Sequence, residues 1–195
     1  MKLLVGLGNP GEEYQRTRHN VGWRLAEAFA DRHRIALDQK KWNARYGVGE
    51  VEGERVGIVL PHTYMNLAGE AAGPAMRFFK VALADVVALH DELDLPFGRL
   101  MLKLGGSSGG HNGLKSLTRH LGGPDYLRLR LGIGRPPPQW DAADYVLARF
   151  SGAEERELQE LVVRGVETLD LVLERGAAAA MNVVNRRDAG LREGS

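Results

Sequence analysis

Apolar residues along the chain fall into short runs and two kinds of period. Residues 2–8, KLLVGLG, are an almost unbroken apolar run, the pattern of a buried strand. After Asn20, a good N-cap residue, Val21, Leu25, Ala28 and Phe29 recur at helical spacing. Residues 45–51 and 55–60 read as two strands joined at EGE, a hairpin signal. Asn66 stands where it can cap a helix running to Phe79, with Gly69 and Gly73 permitting close packing. Residues 86–89 are wholly apolar and end on HDELD. Leu100, Leu102 and Leu104 alternate with Met101 and Lys103, and Leu127, Leu129 and Leu131 alternate with Arg128 and Arg130, so both segments predict strands. Between them lie the glycine-rich GGSSGGHNG and a helix over 114–121. A stiff RPPPQWD loop leads to a long amphipathic helix over 153–175 and a short one over 178–185.

Strands and helices interleave without repeats or linkers. This predicts an α/β fold in one domain over residues 1–187, a twisted mixed β-sheet flanked by α-helices, with 188–195 as a disordered tail. The proline-rich and then helical stretch 136–152 has the composition of a lid.

At 195 residues, 44% hydrophobic and 26% charged, the chain reads as a soluble globular domain. No apolar run approaches the ~20 residues of a membrane span, and no export signal is seen, so the expected location is cytoplasmic. The absence of cysteine excludes disulfides and cysteine nucleophiles, and speaks against a structural zinc site. A net charge of +1 hides an asymmetry. Over 95–135, Arg99, Lys103, Lys115, Arg119, Arg128, Arg130 and Arg135 are opposed only by Asp125, whereas 151–176 is mostly acidic. A basic middle segment suits a polyanion, although solvated helix faces give similar counts.

Gly6, Gly8 and Gly11 match the G-x-G-x-x-G dinucleotide fingerprint. That motif needs a helix to start at once, facing a pyrophosphate. Here Pro10, Glu12 and Glu13 intervene, so the glycines read instead as a sharp turn presenting Asn9 and then His19. GNPG…RHN, HTYMN, HDELD and GGHNG all sit at strand or helix ends, and together supply histidine, carboxylate and amides. His19 is a candidate general base near neutral pH, with Asp91 fixing its tautomer. Asn9, Asn66 and Asn112 offer neutral donors for an oxyanion or a substrate carbonyl. Each also has an ordinary alternative as a surface histidine, a turn aspartate or a helix cap. Lys103 and Arg130, with Arg128 beside them, suggest a phosphate clamp on one sheet face. Ser108 in GSSGG matches G-x-S-x-G, but no acid and then histidine follow it in the order that motif requires. A serine esterase and a non-catalytic RNA-binding module therefore remain as alternatives.

The blocks VGLGNPGEEYQRTRHNVG, YMNLAG, HDELDLPFG, KLGGSSGGHNGLKS and RLRLGIGRP, in this order, resemble bacterial-type peptidyl-tRNA hydrolase from about Lys2 to Phe150. The resemblance implies a monomeric α/β enzyme without metal or other cofactor. Such an enzyme cleaves the ester between a peptide and the terminal ribose of tRNA, which recycles the tRNA. It implies His19 as catalytic base, Asp91 as its orienting partner, and Asn9 and Asn112 as further active-site residues. Substrate contacts fall on Asn66, Met65, Tyr14 and Asn112, and contacts to the tRNA 5′-phosphate on Lys103 and Arg130. The chain departs from the family pattern at Met101, where some members carry a basic residue, and at Arg135, where others have histidine. GSSGG also replaces a more glycine-rich loop.

Overall fold

The computed structural model describes the backbone of residues 1–190 and the side chains through Arg187. The strands are β1 (Lys2–Gly6), β2 (Gln39–Lys41), β3 (Ala44–Val51), β4 (Glu54–Pro61), β5 (Val86–Glu92), β6 (Leu100–Leu104) and β7 (Leu127–Gly132). They form one mixed sheet in the order β2-β3-β4-β1-β5-β7-β6. The middle strands β4, β1, β5 and β7 are parallel; β3 pairs antiparallel with β4, and β6 with β7, closing the two sides. The helices are α1 (Val21–Arg32), α2 (Ala68–Phe78), α3 (Asn112–Leu121), α4 (Ala142–Val146), α5 (Gly152–Arg175) and α6 (Ala177–Gly190).

Strand alternation sorts the side chains into two cores. Leu4, Val87, Leu89, Leu127, Leu129 and Leu131 pack with α1, α5 and α6 on one face. Leu3, Val5, Val86 and Ala88 pack with α2 and α3 on the other. The same period carries past the apolar part of β5: His90 keeps the parity of Ala88 and Asp91 that of Leu89. The parallel strands all end at one edge of the sheet, where ligands of open α/β sheets collect.

The expected elements are present, with differences that have local causes. β1 stops at Gly6 rather than residue 8. β2, a short exposed edge strand with no apolar pattern, was not signalled by the sequence. β5 continues through His90–Glu92, because these polar residues pair with Arg130–Gly132 of β7. α5 starts on a capping box in which Ser151 and Glu154 satisfy each other's backbone N–H groups. α6 extends to Gly190, so residues 188–190, expected to begin a disordered tail, are helical. Residues 191–195 of that tail lie outside the described residues. Among the described residues no helix is long and apolar enough to cross a membrane.

Candidate active site

The loop after β1 explains the glycine fingerprint without a nucleotide. A Cβ at Gly8 would stand 2.7 Å from the Trp23 ring, and Gly11 has φ 118°, a conformation that disfavours other residues. No helix follows Gly11 directly; two short 3-10 turns, Glu12–Tyr14 and Arg18–Asn20, come first. Asn20 precedes α1 as expected, but its side chain does not cap that helix. Instead its Oδ1 accepts from the Asn9 backbone N–H and its Nδ2 donates to the Asn9 carbonyl, both at 2.9 Å. With its backbone clamped, Asn9 turns Oδ1 onto the Met65 N–H at 2.7 Å. The Asn9 amide N–H groups are thereby left to serve the cleft.

His19 lies between two buried, pinned neighbours. The Arg18 guanidinium donates to the Arg149 carbonyl and to both Glu154 oxygens. It also lies 4.3 Å from the Tyr145 ring centroid and 5.1 Å from that of Phe150. The Arg18 backbone N–H reaches the Ala148 carbonyl at 3.1 Å, and the Tyr145 hydroxyl donates to the Ile133 carbonyl at 2.6 Å. The 136–152 stretch, expected as a lid, is thus anchored to the segment carrying His19.

Asp91, 2% exposed, joins two histidines. Its Oδ2 is 2.8 Å from His19 Nδ1 and its Oδ1 is 2.8 Å from His111 Nε2. The sequence offers Asn112 as the cap of the following helix and does not single out His111. In the structure His111 is that cap: its Nδ1 accepts from the backbone N–H groups of Gly113 and Leu114. A backbone N–H can only donate, so Nδ1 is the acceptor and Nε2 carries the proton given to Asp91. His19 donates from Nδ1 to the other oxygen, which leaves its Nε2 lone pair available. The tautomer of His111 follows from the helix cap, and that of His19 from the ionised carboxylate oxygen it faces.

Burial alone would lower the His19 pKa, but the charge and hydrogen bond of Asp91 outweigh it and leave the pKa raised from the ordinary histidine value. Burial alone would raise the Asp91 pKa, but the two histidines hold its carboxyl well below the usual carboxylate range. His19, Asp91 and His111 bring ligand-type atoms within 4.8 Å of one another. A metal at His111 Nε2 would require its proton to move to Nδ1, where it would oppose two backbone N–H donors, so this donor set does not favour a metal.

These groups open on a cleft of about 700 Å³ that contains Asn9, His19, Met65, Asn66, Asp91 and Asn112. Tyr14 does not line it; its carbonyl receives the Thr17 N–H and hydroxyl. The opposite wall is apolar, from Ala142, Ala143, Val146 and Leu147 on and just after α4. Ser108 lines the cleft, yet no hydrogen bond among the described residues joins its hydroxyl to a histidine. Asn66 begins no helix as a side-chain cap: it lies within the 3-10 turn Met65–Leu67, with its side chain free of capping bonds.

Lys103 and Arg130 line a second, narrow cleft of about 150 Å³ that meets the first at Glu92, Asp94, Ser108 and Gly109. Register puts Lys103 opposite Arg128 and Met101 opposite Arg130, all on the α3 face. Arg128 is not a free cation: it is buried and donates to the carbonyls of Ser107, Gly106 and Pro124, holding the glycine loop in place. Arg130 donates to Glu92 at 3.1 Å, and Arg135 is paired with Asp94.

A histidine with an open lone pair, a buried carboxylate behind it and amide donors around a deep cleft are the parts of a hydrolase that activates water. Comparison with known proteins makes the class specific. The family model for peptidyl-tRNA hydrolase matches residues 3–191, and the chain belongs to that family. A curated peptidyl-tRNA hydrolase from Anaeromyxobacter sp. (strain K) is 52% identical over 187 residues, covering 96% of this chain and 97% of the relative. One from Syntrophotalea carbinolica is 45% identical over 187 residues, with 96% and 98% coverage. Among solved structures, peptidyl-tRNA hydrolase from Acinetobacter baumannii superposes with a TM-score of 0.90 at 38% identity, covering 95% of this chain and 94% of that one.

Proposed function

We propose that this protein hydrolyses the ester between a peptide, or an N-blocked aminoacyl group, and the terminal ribose of tRNA, releasing the tRNA for reuse. His19, neutral and held by Asp91, takes a proton through Nε2 from a water in the cleft. That water attacks the ester carbonyl. Amide donors from Asn9 and Asn112 stabilise the oxyanion. The proton then passes from His19 to the ribose oxygen as it leaves, which restores the neutral base. Asn66 and Met65 hold the peptide against the apolar wall of α4, and Tyr14 contacts the substrate from beyond the lining of the cleft. Lys103 and Arg130 hold the tRNA 5′-phosphate in the narrow cleft. No covalent intermediate, metal or cofactor enters this scheme. The enzyme acts as a cytoplasmic monomer, with residues 1–187 as its one catalytic domain.

The observation that carries this reading is the bridged His19–Asp91–His111 arrangement at the mouth of a cleft that Asn9 and Asn112 also line. The test is to incubate the purified protein with an N-blocked aminoacyl-tRNA in EDTA and follow free tRNA. Release is expected; tight binding without release would replace the enzyme with a binding module.

A further inference from the structure

The hairpin turn between β2 and β3 holds a bulky ring where such turns favour small polar residues. Lys41 pairs with Ala44, and the two residues between them, Trp42 and Asn43, have φ 55° and 53°. Asn43 suits this turn; a tryptophan in the left-handed region is an outlier that persists only where its surroundings hold it. Ring packing does so here, with Trp42 5.1 Å from Tyr46 and 5.2 Å from Phe78, centroid to centroid. Yet the cluster is not core. Phe78, the last residue of α2, is 55% exposed. The Lys41 ammonium stands over it, 4.1 Å from the Phe78 centroid and 5.2 Å from that of Trp42.

Cations surround these rings. Lys40 and Lys41 come from β2 and Arg77 from the last turn of α2, and Lys80 follows that helix; all four are exposed. Among the described residues none of the four is in an ion pair, whereas Arg24, Arg32, Arg45 and Arg135 each have a carboxylate partner. Of the carboxylates on the same elements, Asp38 accepts from Gln39, and Glu70 lies about 12 Å back along α2. The helix C-terminus accounts for Arg77 and Lys80. It does not account for two lysines on the neighbouring strand, nor for a half-bare phenylalanine beneath one of them. Flat exposed rings rimmed by unpaired cations match an unpaired base and its flanking phosphates. A duplex hides its base faces, and an apolar peptide gains nothing from the cations.

The sheet order sets this surface apart from the tRNA end held at Lys103 and Arg130. β3 and β7 are four places apart, about 19 Å, and β1 and β5, which lead to Asn9 and carry Asp91, lie between them. We propose that the Trp42–Phe78 surface binds unpaired bases of a second RNA strand while a tRNA occupies the active-site cleft. That this strand is a second one rests on the proposed tRNA hydrolysis; the base-binding surface itself does not.

The probe is a 5′-hydroxyl uridine decamer labelled at its 3′ end, titrated with the intact protein and followed by fluorescence anisotropy. Wild type is expected to bind it about tenfold more tightly than a blunt RNA duplex of the same length. Phe78→Ala, checked for folding by circular dichroism, is expected to bind about tenfold more weakly, the scale of one lost stacked base. Lys41→Gln is expected to reduce the salt slope of binding by about 0.7. No binding by wild type, equal binding of the duplex, or equal binding by Phe78→Ala would overturn the surface. Saturating decamer is expected to leave the rate of tRNA release unchanged; competitive inhibition would put the decamer in the substrate's path and overturn the second strand. A KM that rises with peptide length only in Phe78→Ala would assign the surface to the substrate's peptide instead. A concentration-dependent dimer in sedimentation that Phe78→Ala abolishes would assign it to a second copy of the chain. Decamer binding as expected by a protein that releases no tRNA would support the surface and overturn the hydrolase reading alone.

Discussion

Replacing Asp91 by asparagine changes one atom type, and the structure dictates which way the amide turns. Asp91 accepts from His19 Nδ1 and His111 Nε2, each at 2.8 Å. Asparagine has one oxygen and one NH₂. His111 cannot change tautomer without losing its bonds to the Gly113 and Leu114 N–H groups, so the oxygen must face His111. The NH₂ then faces His19 Nδ1, which becomes an acceptor, and the His19 proton moves to Nε2, where the reaction needs a lone pair. Turnover should fall by about 10²–10⁴, the range of a lost general base and of a triad in the wrong tautomer. Without the Asp91 charge, burial dominates at His19, so the acid limb of any residual activity should move to lower pH. Replacing two charge-assisted bonds by two neutral ones should cost about 2–3 kcal/mol of stability.

That stability gap has a definite pH window. The depressed Asp91 pKa contributes stability above the unfolded value of ~3.9 and loses it as pH falls through the folded value. The raised His19 pKa contributes stability fully below ~6.5 and loses it as pH rises through the folded value. Denaturant unfolding of the two proteins should differ most between about pH 4 and 6.5. Single-turnover release of tRNA against pH is the companion assay. Activity within about tenfold of wild type, or an acid limb moved upward, would refute the tautomer argument.

Other consequences concern the surroundings of the site. In wild type the raised His19 pKa places the acid limb of kcat/KM above the ordinary histidine value of ~6.5, and a pH–rate profile checks this. Lys103→Ala and Arg130→Ala should raise KM with little change in kcat, and each should reduce the salt slope of tRNA affinity by about 1, measured by binding at several ionic strengths. Arg18→Met keeps much of the packing against Tyr145 and Phe150 but loses the bonds to Glu154 and the Arg149 carbonyl. It should destabilise the protein by about 2 kcal/mol in denaturant unfolding and loosen the α4 wall, raising KM for substrates with apolar peptides.

The elements with a clear apolar period were legible from the sequence: β1, the β3–β4 hairpin, β6, β7 and α5 fall within a few residues of their expected places. β2 was not, because an exposed edge strand is held by backbone pairing and leaves no alternation to read. Within the site, His19, Asp91, Asn9, Asn66 and Asn112 were all legible as polar residues at element ends, and they meet in one cleft. What the sequence does not carry is how each side chain is spent. Asn20 looks like a cap and instead clamps Asn9. Arg128 looks like a partner of Arg130 on a basic face and instead ties down the glycine loop. His111, in GGHNG, had the signal of a histidine just ahead of a helix, but its hold on Asp91 depends on a contact 20 residues apart that no local pattern encodes.

The central claim is that His19 activates water directly. Its most direct test is the single-turnover release of tRNA from an N-blocked aminoacyl-tRNA by wild type, His19→Ala and Ser108→Ala, each first checked for folding by circular dichroism. The account predicts a fall of about 10²–10⁴ for His19→Ala and a rate near wild type for Ser108→Ala. A His19→Ala rate within a few-fold of wild type, or a collapse in Ser108→Ala, would contradict it.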